Sequence, residues 1–312
     1  MAYRFLIVGA GVAGASAAAR LAPLGATLVL EAEDQPGYHA TGRSAATYID
    51  TYGAPTVCAA TRASRSFFWS PPQGFADHAL VRPIPELCLA RPEQADALAA
   101  HLATHPDLRP LGAAEIRRMC PILRSEVDWS GALNDRVAEL DVDAILQGYL
   151  KLARAAGADL VTGARVAALA PRPGGGWRVA TAAGGFEADV VVNAAGAWAG
   201  EVGRLAGLGD LGLTPLRRTA IRIDPAMRAE QVRRVAHRWA GLRTFAPDRV
   251  PVVGMDPRAD GFFWLAGQGG YGIQTSPALS ETAAALINEG RLPQALRAEG
   301  VSEADLGPGR FL

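Results

Sequence analysis

The residues with the clearest chemical signature are three glycines near the start of the chain. Gly9, Gly11 and Gly14 follow the apolar run Arg4–Val8 and precede the alanine-rich stretch Ala15–Leu21. In a strand–turn–helix unit, the first glycine permits the tight turn, the second lets a pyrophosphate approach the backbone, and the third lets helix and strand touch. The helix N-terminus offers N–H groups and its positive dipole end to the phosphates. The spacing therefore predicts a dinucleotide-binding βαβ unit.

An acidic residue at the end of the next apolar run supports this prediction. Thr27–Leu30 is typical of a second buried strand, and Glu31 follows it directly. A carboxylate at this point should accept hydrogen bonds from the ribose hydroxyls, and it disfavours a ribose that carries a 2′-phosphate. The competing interpretation is a glycine-rich turn beside an incidental surface glutamate.

Two later segments favour a flavin over a nicotinamide. The apolar run Val190–Ala194 predicts another buried parallel strand, and it leads into the segment that ends at Trp198. Residues 267–274 are rich in glycine and open the last predicted helix, from about Ser276 to Ile287. A helix that returns its N-terminus to the nucleotide domain would stabilise the negative charge that a reduced flavin carries near N1 and C2=O. A plain turn, and an NAD-dependent dehydrogenase, are the alternatives.

The bulk composition limits the class of protein. The chain has 312 residues, 49% of them hydrophobic, and 31 basic residues balance 31 acidic ones. These values predict a folded globule and argue against a nucleic-acid or anionic-membrane partner. The three cysteines and five histidines have no metal or disulfide spacing, so no metal is expected. No apolar run is long enough to be an integral membrane segment, and the expected location is the cytoplasm.

Taken in order along the chain, these motifs resemble a known family. The matching segments are Gly9–Gly14, Glu31, Thr41–Ala46, Asn193–Trp198, Trp239–Arg243 and Gly269–Gln274. With them the chain resembles the D-amino-acid oxidase superfamily of FAD enzymes, and within it the bacterial D-arginine dehydrogenases. Similar stretches cover most of residues 3–220 and 239–312.

The resemblance implies the fold class and the domains. It implies an α/β protein with a Rossmann-like FAD-binding domain of the glutathione-reductase type, and a smaller α+β substrate domain with a mixed sheet. The FAD-binding domain is expected to be discontinuous, over residues 1–82, 139–208 and 240–312. The substrate domain is then left with residues 83–138 and 209–239.

The resemblance also implies which residues contact FAD. They belong to the first turn, the loop after Glu31, the late strand and the second glycine cluster. The implied cofactor residues are Gly9, Gly11, Val12, Ala13, Gly14, Glu31, Ala32, Thr41, Gly42, Arg43, Ser44, Ala45, Ala46, Val166, Ala194, Ala195, Gly196, Trp198, Gly241, Gly269, Gly270, Tyr271, Gly272, Ile273, Gln274 and Thr275.

The same resemblance assigns substrate residues. Arg218 and Arg243 would hold the carboxylate of an amino acid with Tyr52 beside them, Glu86 would face a basic side chain, and Gly270 would lie at the flavin. A planar guanidinium is the natural partner of a carboxylate. Other roles stay open for three of these residues: an ion pair for Arg243, a solvated strand end for Glu86, and the core for Tyr52.

The adjacent pair Arg217 and Arg218 leaves one choice open. Because side chains alternate along a strand, only one of the two can point inward, and the residues alone give even odds. The resemblance to the D-amino-acid oxidase superfamily favours Arg218 as the arginine that points inward.

Two departures from the family pattern affect the expected activity. Thr47 stands where the relatives have an active-site histidine, and only residues 224–238 connect two matching segments. This connection, interpreted as one short charged helix, implies a truncated substrate domain.

The expected function is FAD-dependent oxidative deamination of an amino acid, by hydride transfer from the α-carbon to flavin N5. The substrate is expected to be a D-amino acid with a basic or apolar side chain, and the electron acceptor to be a quinone or oxygen. The alternative is an FAD-binding protein with little or no catalysis, because its substrate domain is incomplete.

Overall fold

The computed structural model describes residues 2–121, 123–124, 126–223 and 235–312. Within these ranges the strands are β1 (Ala2–Val8), β2 (Thr27–Leu30), β3 (Thr47–Tyr48), β4 (Val81–Pro83), β5 (Glu86–Ala90), β6 (Arg109–Leu111), β7 (Ser130–Asn134), β8 (Ala138–Leu140), β9 (Asp159–Val161), β10 (Val166–Pro171), β11 (Trp177–Thr181), β12 (Gly184–Asn193), β13 (Thr214–Ile223), β14 (Val235–Phe245), β15 (Val252–Met255) and β16 (Phe262–Ala266).

The helices lie between strands along the chain and also follow the last strand. They are α1 (Val12–Leu21), α2 (Pro55–Trp69), α3 (Ala95–Thr104), α4 (Ala113–Met119), α5 (Val142–Ala155), α6 (Ala199–Leu205), α7 (Gly272–Glu289), α8 (Gln294–Ala298) and α9 (Glu303–Leu306). Short 3₁₀ turns occupy Ala22–Leu24, Pro92–Gln94, Gly196–Trp198 and Pro308–Phe311.

A mixed sheet forms the centre of the molecule. Its parallel strands lie in the order β16–β12–β1–β2–β9, and β15 pairs antiparallel with β16. The first half of β12 instead pairs with β11, which pairs with β10, so an antiparallel hairpin extends from the sheet. The sequence prediction of an α/β fold class is confirmed.

Both faces of this sheet are buried, because β1 and β2 are apolar at every central position. Phe5 and Ile7 contact a layer that includes α1 and α7, whereas Leu6 and Val8 pack on the hairpin β10–β11 and on α6. Residues along a strand alternate between faces, so a continuous apolar run is what a covered parallel strand requires.

Several predicted elements have different limits in the structure. The predicted strands 186–188 and 190–194 are one strand, β12, and the single strand predicted over 80–90 is divided into β4 and β5. The last long helix begins at Gly272 rather than near Ser276, so Pro277 lies inside it. Pro277 has no N–H to give to the carbonyl of Ile273, and the Ser276 hydroxyl donates to that oxygen at 2.9 Å.

The charged helix predicted over 224–238 is wrong where it can be compared. Residues 235–238 belong to β14, and residues 224–234 lie outside the described ranges. Pairing with β13 explains the difference, because register with a neighbouring strand can override local helix propensity.

Small antiparallel sheets lie beside the central one. They are β3–β8–β4, β5–β7–β6 and the two-stranded unit β13–β14. We call β13–β14 the arginine ribbon, because its described residues include Arg217, Arg218, Arg222, Arg238 and Arg243 and no acidic residue. The side chains of β13 that the structure describes are exposed except for that of Ala220, which is half-buried. The limits of the two predicted domains remain a prediction.

Among the described residues, no helix combines the length and the apolar character that crossing a membrane requires.

Candidate cofactor and substrate site

A groove of about 490 Å³ crosses the carboxyl ends of the central strands. Val8, Leu30 and Ala194, at the ends of β1, β2 and β12, form its floor together with the turns that follow them. Ligands of parallel α/β sheets bind at this edge. The predicted residues found in its walls are Gly9, Gly11, Val12, Ala13, Glu31, Ala32, Thr41, Arg43, Ser44, Ala45, Val166, Ala194, Ala195, Gly196, Trp198, Arg218, Gly241, Arg243, Gly269, Gly270, Gly272 and Ile273.

The first turn of α1 offers backbone donors to this groove. Gly9 has a φ of 102°, and a β-carbon there would lie 2.6 Å from the carbonyl oxygen of Ala194, so the turn requires glycine. The N–H of Val12 donates to the hydroxyl of Thr41 at 3.0 Å. The next N–H groups, of Ala13 and Gly14, have no acceptor within the described chain. They are suited to a pyrophosphate.

Glu31 is buried at the end of β2 and holds the first turn in place. One of its carboxylate oxygens accepts from the N–H of Ala10 at 2.7 Å, and the other accepts from the N–H of Glu33 at 2.9 Å. Each oxygen has a second lone pair, which is available to a ribose hydroxyl. The carboxylate therefore shapes the turn as well as facing the groove, a role that the sequence did not indicate.

A polar and aromatic cluster lies beyond Glu31 in the same groove. His39 lies 2.8 Å from the carboxylate of Glu33, and its ring centroid is 4.5 Å from that of Trp198. The guanidinium of Arg165 lies 5.8 Å from the Trp198 ring and 3.8 Å from the Glu33 carboxylate. Sequence reasoning missed Glu33 and Arg165, although Arg165 precedes the predicted Val166.

The opposite end of the groove is built by β14 and the second glycine cluster. The N–H of Gly269 donates to the carbonyl of Thr244 at 2.8 Å, which joins the glycine turn to the strand. The side chain of Thr244 is buried, its hydroxyl has no hydrogen-bond partner among the described residues, and the residue lines the groove. Arg243 lies directly over Gly270, where a β-carbon would come within 2.8 Å of the Arg243 Nη1 atom.

The register of the arginine ribbon distinguishes its two adjacent arginines. Arg218 is paired with Gly241 and Leu216 with Arg243, so Arg218 and Arg243 share one face. Arg217 is paired with Leu242 on the other face. Arg218 lines the groove and Arg217 does not.

Two predicted substrate residues lie outside the described walls. Tyr52 is 51% exposed and packs edge-to-face on Tyr271, with 5.3 Å between the ring centroids. Glu86 is half-buried on β5, where the side-chain amide of Asn134 donates to it at 3.4 Å. Burial raises the pKa of Glu86 above its ordinary value, and this exceeds the lowering that the Asn134 bond causes.

Some predicted cofactor residues are also absent from the walls that the structure describes. They are Gly14, Gly42, Ala46, Tyr271, Gln274 and Thr275. The Gln274 amide is occupied elsewhere: it accepts from the N–H of Ile49 at 3.1 Å and donates to Thr61 at 3.0 Å. The Thr275 hydroxyl donates to the carbonyl of Tyr271. In the structure the Gln274 side chain therefore joins α7 to its neighbours, whereas the Thr275 side chain bonds back to the first turn of its own helix.

A comparison with models of known protein families finds a match over most of the chain. The family model described as FAD dependent oxidoreductase matches residues 4–233 and 226–286. Among curated proteins, mitochondrial dimethylglycine dehydrogenase of Mus musculus is 37% identical over 94 residues, and that of Rattus norvegicus is 36% identical over 94. These matches cover 30% of the chain but only 11% of each curated protein.

Solved structures share the fold over nearly their whole length. Glycine oxidase from Geobacillus kaustophilus has a TM-score of 0.80 at 20% identity, and the match covers 91% of this chain and 94% of that one. L-proline dehydrogenase from P. horikoshii has a TM-score of 0.80 at 18% identity, covering 99% and 98%. Iminodiacetate oxidase from Chelativorans sp. BNC1 has a TM-score of 0.75 at 20% identity, covering 98% and 99%.

Proposed function

Since the chain belongs to the family of FAD dependent oxidoreductases, we propose that it oxidises an amino acid whose carboxylate lies between Arg218 and Arg243. The observation that carries this proposal is their shared face on the arginine ribbon, with Arg243 directly over Gly270. Because Gly270 has no side chain, its backbone can lie close to a molecule bound in the groove. The two guanidinium groups supply positive charge for the carboxylate of that molecule.

The groove fits FAD at three separate points. The unpartnered N–H groups of α1 suit the pyrophosphate, and Glu31 has acceptor capacity left for a ribose. At the end of the groove where a flavin ring would lie, the buried hydroxyl of Thr244 lacks a partner within the part of the chain that the structure describes. A buried polar atom without a partner costs about 1–3 kcal/mol, which a bound polar ring would recover. When bound, FAD supplies the two-electron acceptor of the reaction.

The chain itself contributes position and charge. Arg218 and Arg243 would orient the carboxylate, so that the α-carbon faces the cofactor. The carboxylates in the described walls are Glu31, Glu33 and Glu201, whereas the wall residues of the ribbon and of the second glycine cluster carry none. We therefore propose that no side chain acts as general base at this end, and that the amine reacts in its neutral form.

The named substrates of the similar proteins support an amino acid. Glycine, L-proline, iminodiacetate and dimethylglycine are all amines that carry a carboxylate. We propose the narrower class of D-amino acids with a basic or apolar side chain. Its supports are the family resemblance of the sequence and the half-buried carboxyl group of Glu86, which could meet a cationic side chain.

Anaerobic stopped-flow measurements test the proposal. Purified protein loaded with FAD is mixed with D- and L-forms of arginine, lysine, leucine and glutamate, and the loss of flavin absorbance is followed. Saturable bleaching by D-arginine or D-leucine, on the order of 1–1000 per second, is expected for a working enzyme. Bleaching by the L-amino acids alone would contradict the proposal that the substrate is a D-amino acid.

A second candidate function rests on the exposure of the ribbon. β13 pairs with β14 along one edge only within the described chain, and Arg218 is exposed. Water would screen its attraction for a carboxylate, since Coulomb energies fall with the dielectric constant. The second candidate is an FAD-binding protein with little turnover. Full FAD loading together with no bleaching by any amino acid would favour it.

A further inference from the structure

One contact of the arginine ribbon joins it to the loop that follows Glu31 and includes Tyr38, Thr41 and Arg43. The indole N–H of Trp239 on β14 donates to the backbone carbonyl of Arg43 at 2.9 Å. In return, Nη1 of Arg43 donates to the carbonyl of Ala240 at 2.9 Å. Arg43 is therefore joined to two adjacent residues of β14, Trp239 and Ala240, by two hydrogen bonds across the boundary between the loop and the ribbon.

The loop side of this contact is itself well fixed. Nε of Arg43 donates to the carbonyl of Tyr38 at 3.2 Å, and its guanidinium lies 5.2 Å from the centre of the Tyr38 ring. Thr41, two residues before Arg43, accepts from the N–H of Val12 in the first turn of α1. The loop segment 41–43 is thus hydrogen-bonded to the first turn of α1 at one end and to β14 at the other.

The ribbon side of the contact leads to the substrate arginines. Gly241 follows Ala240, and a β-carbon there would lie 3.4 Å from that of Arg43, so strand and loop are in van der Waals contact. Gly241 is the ladder partner of Arg218, and Trp239 is the partner of Ala220 on the same face. Displacing β14 from the loop would therefore displace Arg218 from the groove.

We propose that Arg43 and Trp239 form a latch that couples the filling of the cofactor groove to the position of the arginine ribbon. Tyr38, Thr41 and Arg43 all line the groove, so a bound dinucleotide restrains the loop, and the loop restrains the ribbon through the latch. Trp239 is then a positioning residue: it does not line the groove, yet it sets where Arg218 lies. The latch depends on the proposed function in one respect only, namely that Arg218 and Arg243 bind the carboxylate of the substrate.

The consequence is reciprocal. Binding free energies are linked, so a ribbon held against the loop must strengthen FAD binding by the same factor as FAD strengthens docking of the ribbon. An isolated two-stranded ribbon is marginally stable in water, which makes its docking sensitive to a single contact.

Limited proteolysis provides a direct readout that needs no turnover. Trypsin cleaves after arginine, and Arg217, Arg218, Arg222 and Arg238 are exposed on the ribbon. Cleavage is followed by mass spectrometry for the FAD-loaded protein and for the apoprotein, with FAD content measured by absorbance. The expected result is slow cleavage of the ribbon with FAD and at least threefold faster cleavage without it.

The test variant is Trp239→Phe, which keeps an aromatic ring and removes only the N–H donor. With FAD bound, its ribbon should be cleaved roughly 2- to 12-fold faster than that of the wild type, in line with one lost hydrogen bond of about 0.5–1.5 kcal/mol. The matched control is Trp129→Phe, because the Trp129 indole also donates to a backbone carbonyl, that of Arg124, at 3.1 Å. Its ribbon cleavage should equal that of the wild type.

Two outcomes would overturn the latch. One is equal ribbon cleavage in FAD-loaded Trp239→Phe and wild type, and the other is equal cleavage of wild type with and without FAD. If turnover is measurable, Trp239→Phe should raise KM for the amino acid more than it lowers kcat. A protein that shows the cleavage pattern but never turns over would retain the latch and lose the proposed activity, so the two failures are distinguishable.

Discussion

Arg218 and Arg243 come from different strands, yet they lie on the same face of the ribbon, because Arg218 is opposite Gly241 and Arg243 is opposite Leu216. Arg217, adjacent to Arg218 in the chain, is opposite Leu242 and takes the other face. Strand pairing therefore places two identical neighbouring side chains on opposite faces, and of the two only Arg218 lines the groove.

This separation provides a matched pair of variants. Arg218→Ala should weaken binding of the amino acid by roughly tenfold, the lower end of the value for a charge-assisted hydrogen bond, because Arg218 is exposed and screened. Arg217→Ala should stay within about twofold of the wild type. The measurement is the substrate dependence of anaerobic flavin bleaching. Equal losses in the two variants would show that neither arginine is specific to the site.

The carboxylate of Glu31 should be needed for tight FAD binding. Glu31→Gln replaces one of its two acceptor oxygens with an amide donor, which then faces a backbone N–H, and it removes the charge beside the ribose. We expect the Kd for FAD to rise roughly 10- to 150-fold, equivalent to about 1.5–3 kcal/mol. Fluorescence titration of the apoprotein measures it.

The control for this variant is Glu139→Gln, which loses a carboxylate paired with Arg82 away from the groove. An unchanged Kd for Glu31→Gln would contradict the assignment of the ribose end.

The buried hydroxyl of Thr244 should contact the flavin. Thr244→Val keeps the shape of the side chain and removes the hydroxyl, so the Kd for FAD should rise by about 2- to 12-fold and the visible absorption maxima should shift. Thr282→Val is the control, since the Thr282 hydroxyl donates within α7 to Ala278. A Thr244→Val protein with the wild-type spectrum and tighter FAD binding would mean that the hydroxyl stays unpaired.

Glu86 should favour substrates with a cationic side chain. Glu86→Gln is expected to lower kcat/KM for D-arginine several-fold more than for D-leucine, because only the former offers the carboxylate an opposite charge. Equal losses of kcat/KM for D-arginine and D-leucine would show that Glu86 does not contact the side chain of the substrate.

The raised pKa of Glu86 also predicts a dependence of stability on pH. Its folded pKa lies above the unfolded value, so the unfolded chain releases the proton first as the pH rises. The free energy of unfolding should therefore fall with rising pH from about 4.5 to the folded pKa, and Glu86→Gln should lack this component. Urea unfolding at several pH values, with wild type and variant side by side, measures the difference. Parallel curves would contradict burial of an ionisable Glu86.

Local patterns predicted the nucleotide half well. Gly9, Gly14 and Thr27–Leu30 follow rules of backbone geometry and burial that operate over a few residues, and the structure has the predicted turn and strands. The carboxyl-end groove follows from the topology of parallel strands. Identifying the cofactor as FAD required all of the motifs together, because no single motif distinguishes FAD from NAD.

Contacts between segments that are far apart in the chain could not be predicted from the sequence. The Gln274 side chain lies against Ile49 and Thr61 because of how α7 packs on α2, and no local pattern indicates that direction. Residues 235–238 are compatible with a helix when considered alone, but the partner strand β13 determines their conformation. The roles of Glu33 and Arg165 at the groove likewise depend on tertiary packing.

The order of strands in the central sheet has a consequence for synthesis of the chain. β1 is made before β12, yet β12 is one of its two neighbours, and β12 in turn pairs with the still later strand β16. At about 5–20 residues per second, the ribosome takes roughly 10–40 s to deliver β12 after β1, so the first strand stays half-paired during that time. The groove has the ends of both β1 and β12 in its floor, so it can be completed for the cofactor only after β12 has been made and paired.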